Sequence, residues 1–121
     1  MQTVGWIAAG GALGAVMRYG VSFASSGRTD LPVGTILANV SGALVLGFLA
    51  AWLGDRLPDP IRLGLTVGVL GGYTTFSTWM VESFVLMEEG QVGIGLINLF
   101  LPVVVGFLAA AIGFWIGRAV A

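Results

Sequence analysis

Apolar side chains in this chain do not alternate with polar ones. They run on, and charged positions collect at short interruptions. Uncharged stretches cover residues 1–17, 31–54, 63–81 and 90–117, each near or above the roughly 20 apolar residues that carry a helix across a bilayer core. The pattern predicts four spanning helices over about 3–25, 32–53, 61–87 and 91–118, making a single all-α transmembrane domain, 1–121. The interruptions, SSGRTDLP, GDRLPDPIR and EEG, hold turn formers and most of the charges, so they read as short surface linkers. Pro32 and Pro60 stand where helices begin, the position at which a missing N–H costs least. No second domain, low-complexity tail or internal duplication is visible.

Composition narrows the class. With 57% hydrophobic and 9% charged residues and a mean hydropathy of +0.99, an integral membrane protein is expected and a soluble domain is not. The chain has no cysteine for a disulfide or thiolate site and no histidine, the commonest general base, so no enzyme is expected. A net charge of -1, from five arginines, no lysine and six acids, gives no basic patch for nucleic acid. The opening MQTVGWIAAGG lacks the positive start of a secretory signal, and residue 1 onward reads as mature protein.

An even number of spans puts both termini on one side with Arg56, Arg62 and Arg118, opposite Arg18 and Arg28. Lysine and arginine normally accumulate on the cytoplasmic side, and a split of three against two gives little preference. Such a chain can insert both ways and pair antiparallel. If Arg18 is intramembrane and does not count, the same residues describe a protein with both termini cytoplasmic. The charges leave both readings open. Glycines four apart, Gly10 and Gly14, then Gly64, Gly68 and Gly72, then Gly113 and Gly117, favour close helix contact, although helices that merely pack carry the same pattern. Four short helices enclose little by themselves, so assembly is expected.

Candidate chemistry gathers inside the membrane. GGYTTFSTWM, residues 71 to 80, places two glycines and the hydroxyls of Thr74, Thr75, Ser77 and Thr78 about ten residues into the third span, near the midplane at about 1.5 Å per residue. The segment is a poor helix by propensity. Lipid tolerates a broken helix only where the freed groups meet protein or a wet cavity, which makes a break there a pointer to an ion site. The other reading is an intact helix whose hydroxyls bond back to their own i-4 carbonyls. Asn39 in span two, with Thr35 one turn before it, either donates to an anion or joins two helices. Phe76, Trp79 and Glu82 recur along one helix face. Positive ring edges there favour an anion, whereas such stripes also arise from plain packing. Arg18 is either a snorkelling side chain or the cation of an anion vestibule.

Arg18, GTILANVSG around Asn39, and GGYTTFSTW followed by Glu82 together resemble the small bacterial fluoride channels known as Fluc or CrcB, over nearly the whole chain. The resemblance implies a passive, fluoride-selective, multi-pass channel of the bacterial cytoplasmic membrane, built as an antiparallel dual-topology dimer in membrane lipid. The third helix would be broken near the midplane, with two fluoride pores. A structural sodium ion would sit at the dimer centre, held by backbone carbonyls of Gly71 and Thr74. Carried over by position, Asn39 is the pore amide, Phe76 and Trp79 the pore aromatics, and Arg18 the vestibule cation. Thr35, Ser77, Thr78, Glu82 and Asn98 fall at polar positions near the pore.

Two departures stand out. Trp79 replaces a second phenylalanine and adds a hydrogen-bond donor. Span four offers Asn98, Pro102 and Gly106 where relatives usually carry serine or threonine hydroxyls along a polar track. A chain with a degraded track suits one half of a heterodimer with a homologous subunit as well as a homodimer. A dual-topology small multidrug transporter also has four helices, but it needs a carboxylate in the first span, and span one has an arginine and no acid. A non-transporting scaffold subunit is the third reading.

Overall fold

The computed structural model describes residues 1–27, 29–54 and 56–121. Arg28, counted above in the charge balance, lies outside the described residues. The chain forms α1 (Gln2–Ser25), α2 (Val33–Trp52), α3 (Asp59–Leu63), a π-helical segment (Gly64–Leu70), α4 (Gly71–Tyr73), α5 (Phe76–Glu88) and α6 (Val92–Ala119). Among the described residues there is no strand. Helices α1, α2 and α6 are each long and apolar enough to cross a membrane, and the protein is an integral membrane protein. The third apolar stretch is helical in pieces, and it reaches spanning length only as their sum.

The interruption lies at Thr74 and Thr75. Their φ and ψ are -85° and 155°, then -148° and 124°, both extended. Gly71 and Gly72 remain helical, so the glycines weaken the helix while the two β-branched residues after them leave it. The break also changes the neighbour. Before it, the π segment and α4 pack on α1; after it, α5 packs on α6, which in turn lies along α2.

Helices in lipid gain no hydrophobic drive to associate, so close backbone approach has to supply the contact. Gly10 and Gly14 of α1 lie against the main chain of Gly64, Val69 and Tyr73. On the other side of the molecule, Gly113 faces the Leu44 carbonyl and the Phe48 amide, and Gly117 faces the Phe48 carbonyl. A side chain at any of these positions would overlap backbone that has no way to yield. The buried apolar set is correspondingly small: Ala38, Leu53, Leu70 and Leu86. Most large apolar side chains point outward, as a chain dissolved in lipid requires.

Polar groups close the ends. The α5 to α6 turn passes through Gly90 at φ +84, a conformation that glycine adopts without strain. The amides of Gly90 and Gln91 turn back to the Met87 and Leu86 carbonyls. Near the C-terminus, Arg56 stacks over Trp52 at 5.4 Å, donates to the Trp52 carbonyl, and reaches the Ala121 carbonyl at 2.6 Å. Arg62 donates to Asp59 at 2.6 Å and to the Gly54 carbonyl at 3.1 Å.

The glycine contacts predict a position-dependent cost. Gly113→Val should destabilise the protein by about 3 kcal/mol or more, since overlap here is with backbone. Gly93→Ala, which meets nothing within 4 Å, should be neutral or slightly stabilising. Thermal unfolding of the purified variants in detergent checks the contrast.

Candidate functional site

The break is held open by one side chain. Asn39 lies in the first half of α2, and its two amide atoms pair with the main chain of Thr75: Asn39 Nδ2 donates to the Thr75 carbonyl at 2.9 Å, and the Thr75 amide donates to Asn39 Oδ1 at 2.7 Å. An amide side chain has both a donor and an acceptor head, so it can satisfy an extended residue as a neighbouring strand would. In hydrocarbon each unpaired backbone group costs several kcal/mol, so this pair decides whether the break can exist. Of the two roles open to Asn39 in the sequence, joining helices is the one these bonds perform. One of its two N–H groups is left over for a ligand.

Thr75 also starts the next helix. As N-cap of α5, its hydroxyl oxygen accepts from the Thr78 amide at 3.3 Å, and its hydroxyl lies 3.1 Å from Thr78 Oγ1. Thr74 behaves differently: its hydroxyl donates back to the Leu70 carbonyl at 2.9 Å, the ordinary bond of a helical threonine. Two diverted amides have a further effect. The Thr75 amide would serve the Gly71 carbonyl in a continuous helix, and the Thr78 amide would serve that of Thr74. Asn39 and the Thr75 hydroxyl take them instead. The carbonyls of Gly71 and Thr74 thus lose their helical donors and stand as acceptors without a backbone partner. Gly71 is exposed on the surface of the single chain.

Beside the break runs a groove of about 230 Å³ lined by Asn39, Thr74, Thr75, Phe76, Trp79 and Pro102. Phe76 is 70% exposed along its open side. Its ring meets Trp79 edge to face, with centroids 5.8 Å apart and planes at 86°. Thr75 is shared with an adjoining cavity of about 320 Å³, whose polar lining includes Arg18, Tyr19, Ser22, Thr35, Thr78 and Glu82. Arg18 reaches Thr78 Oγ1 at 3.5 Å, so α1 delivers its cation to the start of α5. Thr35 donates to Glu82 Oε1 at 2.9 Å; the other carboxylate oxygen, Oε2, is buried without a partner.

The predicted site residues therefore fall into four places. Arg18, Thr35, Thr78 and Glu82 share the cavity; Asn39, Thr74, Phe76 and Trp79 line the groove; Gly71 and Ser77 are exposed at the break. Asn98 lies behind the groove wall, 0% exposed, donating to Ser83 Oγ at 2.9 Å. Tyr19 and Ser22 of the cavity, Thr75 of the break and Ser83 behind the groove wall were not singled out from sequence. Thr75 was visible only as one hydroxyl among four, and Ser83 falls outside the motif, marked only by being polar one turn after Trp79.

A family model described as "CrcB-like protein, Camphor Resistance (CrcB)" matches residues 5–114. A protein of Symbiobacterium thermophilum named fluoride-specific ion channel FluC 2 is 40% identical over 119 residues, covering 95% of this chain and 94% of that one. Proteins named fluoride-specific ion channel FluC from a Methylobacterium species and FluC 1 from Nitrobacter hamburgensis are 40% and 42% identical over 112 residues each, covering 90% and 88% of this chain and 90% and 89% of their own.

Asn39→Leu keeps the side chain's bulk and removes both heads. It should destabilise the protein by on the order of 2 kcal/mol or more, because the Thr75 amide and carbonyl lose their partners together. Denaturant titration of the variant against the parent, followed by circular dichroism in detergent, measures it.

Proposed function

The chain belongs to the CrcB-like family, and we propose that it is a passive fluoride channel, letting the ion leave through the bacterial cytoplasmic membrane. It is an ion channel and not an enzyme: no bond is made or broken. The observation that carries this reading is the convergence at the break, where an arginine, threonine hydroxyls, a spare amide N–H and two aromatic rings lie along adjoining cavities. Fluoride is small, hard and tightly hydrated, so a pore has to replace its water with donors that release it again. Arg18 raises the anion's local concentration at the cavity. The hydroxyl of Thr78 and the remaining N–H of Asn39 replace part of its hydration. Ring edges of Phe76 and Trp79 supply weak contacts that do not trap it.

The groove is open along Phe76 in a single chain, which supports a pore completed by a second subunit in antiparallel orientation. The near-even arginine split supports the same arrangement. Sodium fits the carbonyls of Gly71 and Thr74 between two such subunits, and when bound it supplies a fixed positive charge against which anions repel one another less. The partner is a second copy or a homologous subunit. The missing hydroxyls at Pro102 and Gly106 favour testing both.

Liposomes loaded with fluoride and containing the purified chain should release it passively once potassium is made permeable, while chloride-loaded liposomes hold their content. Phe76→Leu, which keeps bulk but loses the ring edge, should slow fluoride efflux by about tenfold. Release only after co-reconstitution with a homologous subunit identifies the heterodimer. Absence of efflux in both preparations overturns the function.

A further inference from the structure

Pro102 lies inside α6, four residues after Asn98, and proline has no N–H. The Asn98 carbonyl therefore lacks the donor that an α-helix would send it from the next turn. Water does not replace that donor, since Asn98 is 0% exposed and Pro102 is buried as well. Trp79 does: its indole Nε1 donates to the Asn98 carbonyl at 2.5 Å. The other end of Trp79 is tied to the same residue. Asn98 Nδ2 donates to Ser83 Oγ at 2.9 Å, and the Ser83 hydroxyl donates to the Trp79 carbonyl at 2.9 Å, with Ser83 1% exposed. Asn98 thus grips both the ring and the backbone of Trp79, and the bonds close a loop between α5 and α6.

We infer that Trp79, Asn98 and Pro102 are one positioning unit: Pro102 frees a carbonyl, that carbonyl takes the indole N–H, and Trp79 faces the groove as a fixed wall without a free donor. The chemistry of the groove gives this a purpose, which rests on the fluoride reading. A free indole N–H beside a hard anion would bind it strongly and slow its release. Tied to Asn98, the indole leaves only ring carbon at the groove. The residue that departs from phenylalanine is in this way made to behave like one. Asn98 and Pro102 act through Trp79, without needing contact with the ion.

The test uses the whole chain in detergent or nanodiscs and needs no flux. Indole ¹⁵N labelling gives one resonance for each of the four tryptophans, and Trp79 is assigned by its loss in W79F. P102A restores an N–H at position 102, which competes for the Asn98 carbonyl. It should speed hydrogen exchange of the Trp79 indole by about tenfold and shift its resonance, leaving the other three unchanged. W79F should lower the melting temperature, and adding P102A to it should recover more than half of that loss, a non-additive result. A Trp79 signal indifferent to P102A overturns the unit, and so do additive thermal effects. If W79F does not fold, the P102A exchange measurement decides alone, with Trp79 assigned by loss of its signal in W79Y. A chain that shows the coupling but conducts no fluoride retains the unit and loses the channel reading.

Discussion

A main chain that leaves its helix inside lipid must bring its own partners, and in this protein Asn39 is that partner. Its amide meets the Thr75 amide and carbonyl at 2.7 and 2.9 Å, converting what would be two unpaired polar groups into a closed pair. The rest of the site follows from that pairing. Once Thr75 is extended, its hydroxyl is free to cap α5, and the amides diverted to Asn39 and Thr75 leave the Gly71 and Thr74 carbonyls without helical donors. The same two residues turn the chain away from α1 and onto α6, which brings Phe76 and Trp79 to the groove.

A break of this kind keeps its position only if its surroundings do not move, and the glycine contacts provide that stiffness. The first part of span three is fixed against α1 through Gly10, Gly14, Gly64 and Gly68, while α2 is fixed against α6 through Gly113 and Gly117. At both interfaces these glycines bring helix against main chain. Asn39 and Thr75 therefore meet between two closely packed helix pairs, and the groove runs beside their bonds. Behind its wall, the bonds among Trp79, Ser83 and Asn98 join α5 to α6 where glycine contact alone would leave an aromatic ring free to turn.

Much of this was legible in the sequence because the bilayer imposes simple rules. Four uncharged stretches near spanning length gave four helical regions, and Gly71-Gly72 followed by hydroxyls marked the third as the broken one. The exact residues of the break were not legible, since propensity marks the glycines and the β-branched threonines alike, and the chain leaves its helix at Thr74 and Thr75. Nor was the π-helical course of Gly64–Leu70: nothing in GLTVGVL distinguishes it from an ordinary apolar helix. Of the two readings of the hydroxyls, Thr74 follows the i-4 back-bond and Thr75 does not. Asn39 could be ranked as unusual from sequence, but its partner, 36 positions away, could not be named. Trp79 and Pro102 appeared as separate departures from a pattern, and only their approach through Asn98 connects them.

The decisive measurement is solid-state NMR of the wild-type chain in lipid bilayers, reading the ¹³Cα and ¹³Cβ shifts of Thr74 and Thr75 with and without fluoride. Extended-backbone shifts at both residues, together with a through-space contact from the Asn39 side-chain amide to Thr75, are the predicted result. Helical shifts at both residues would contradict the account at its base, because a continuous third helix has neither the groove nor the freed carbonyls.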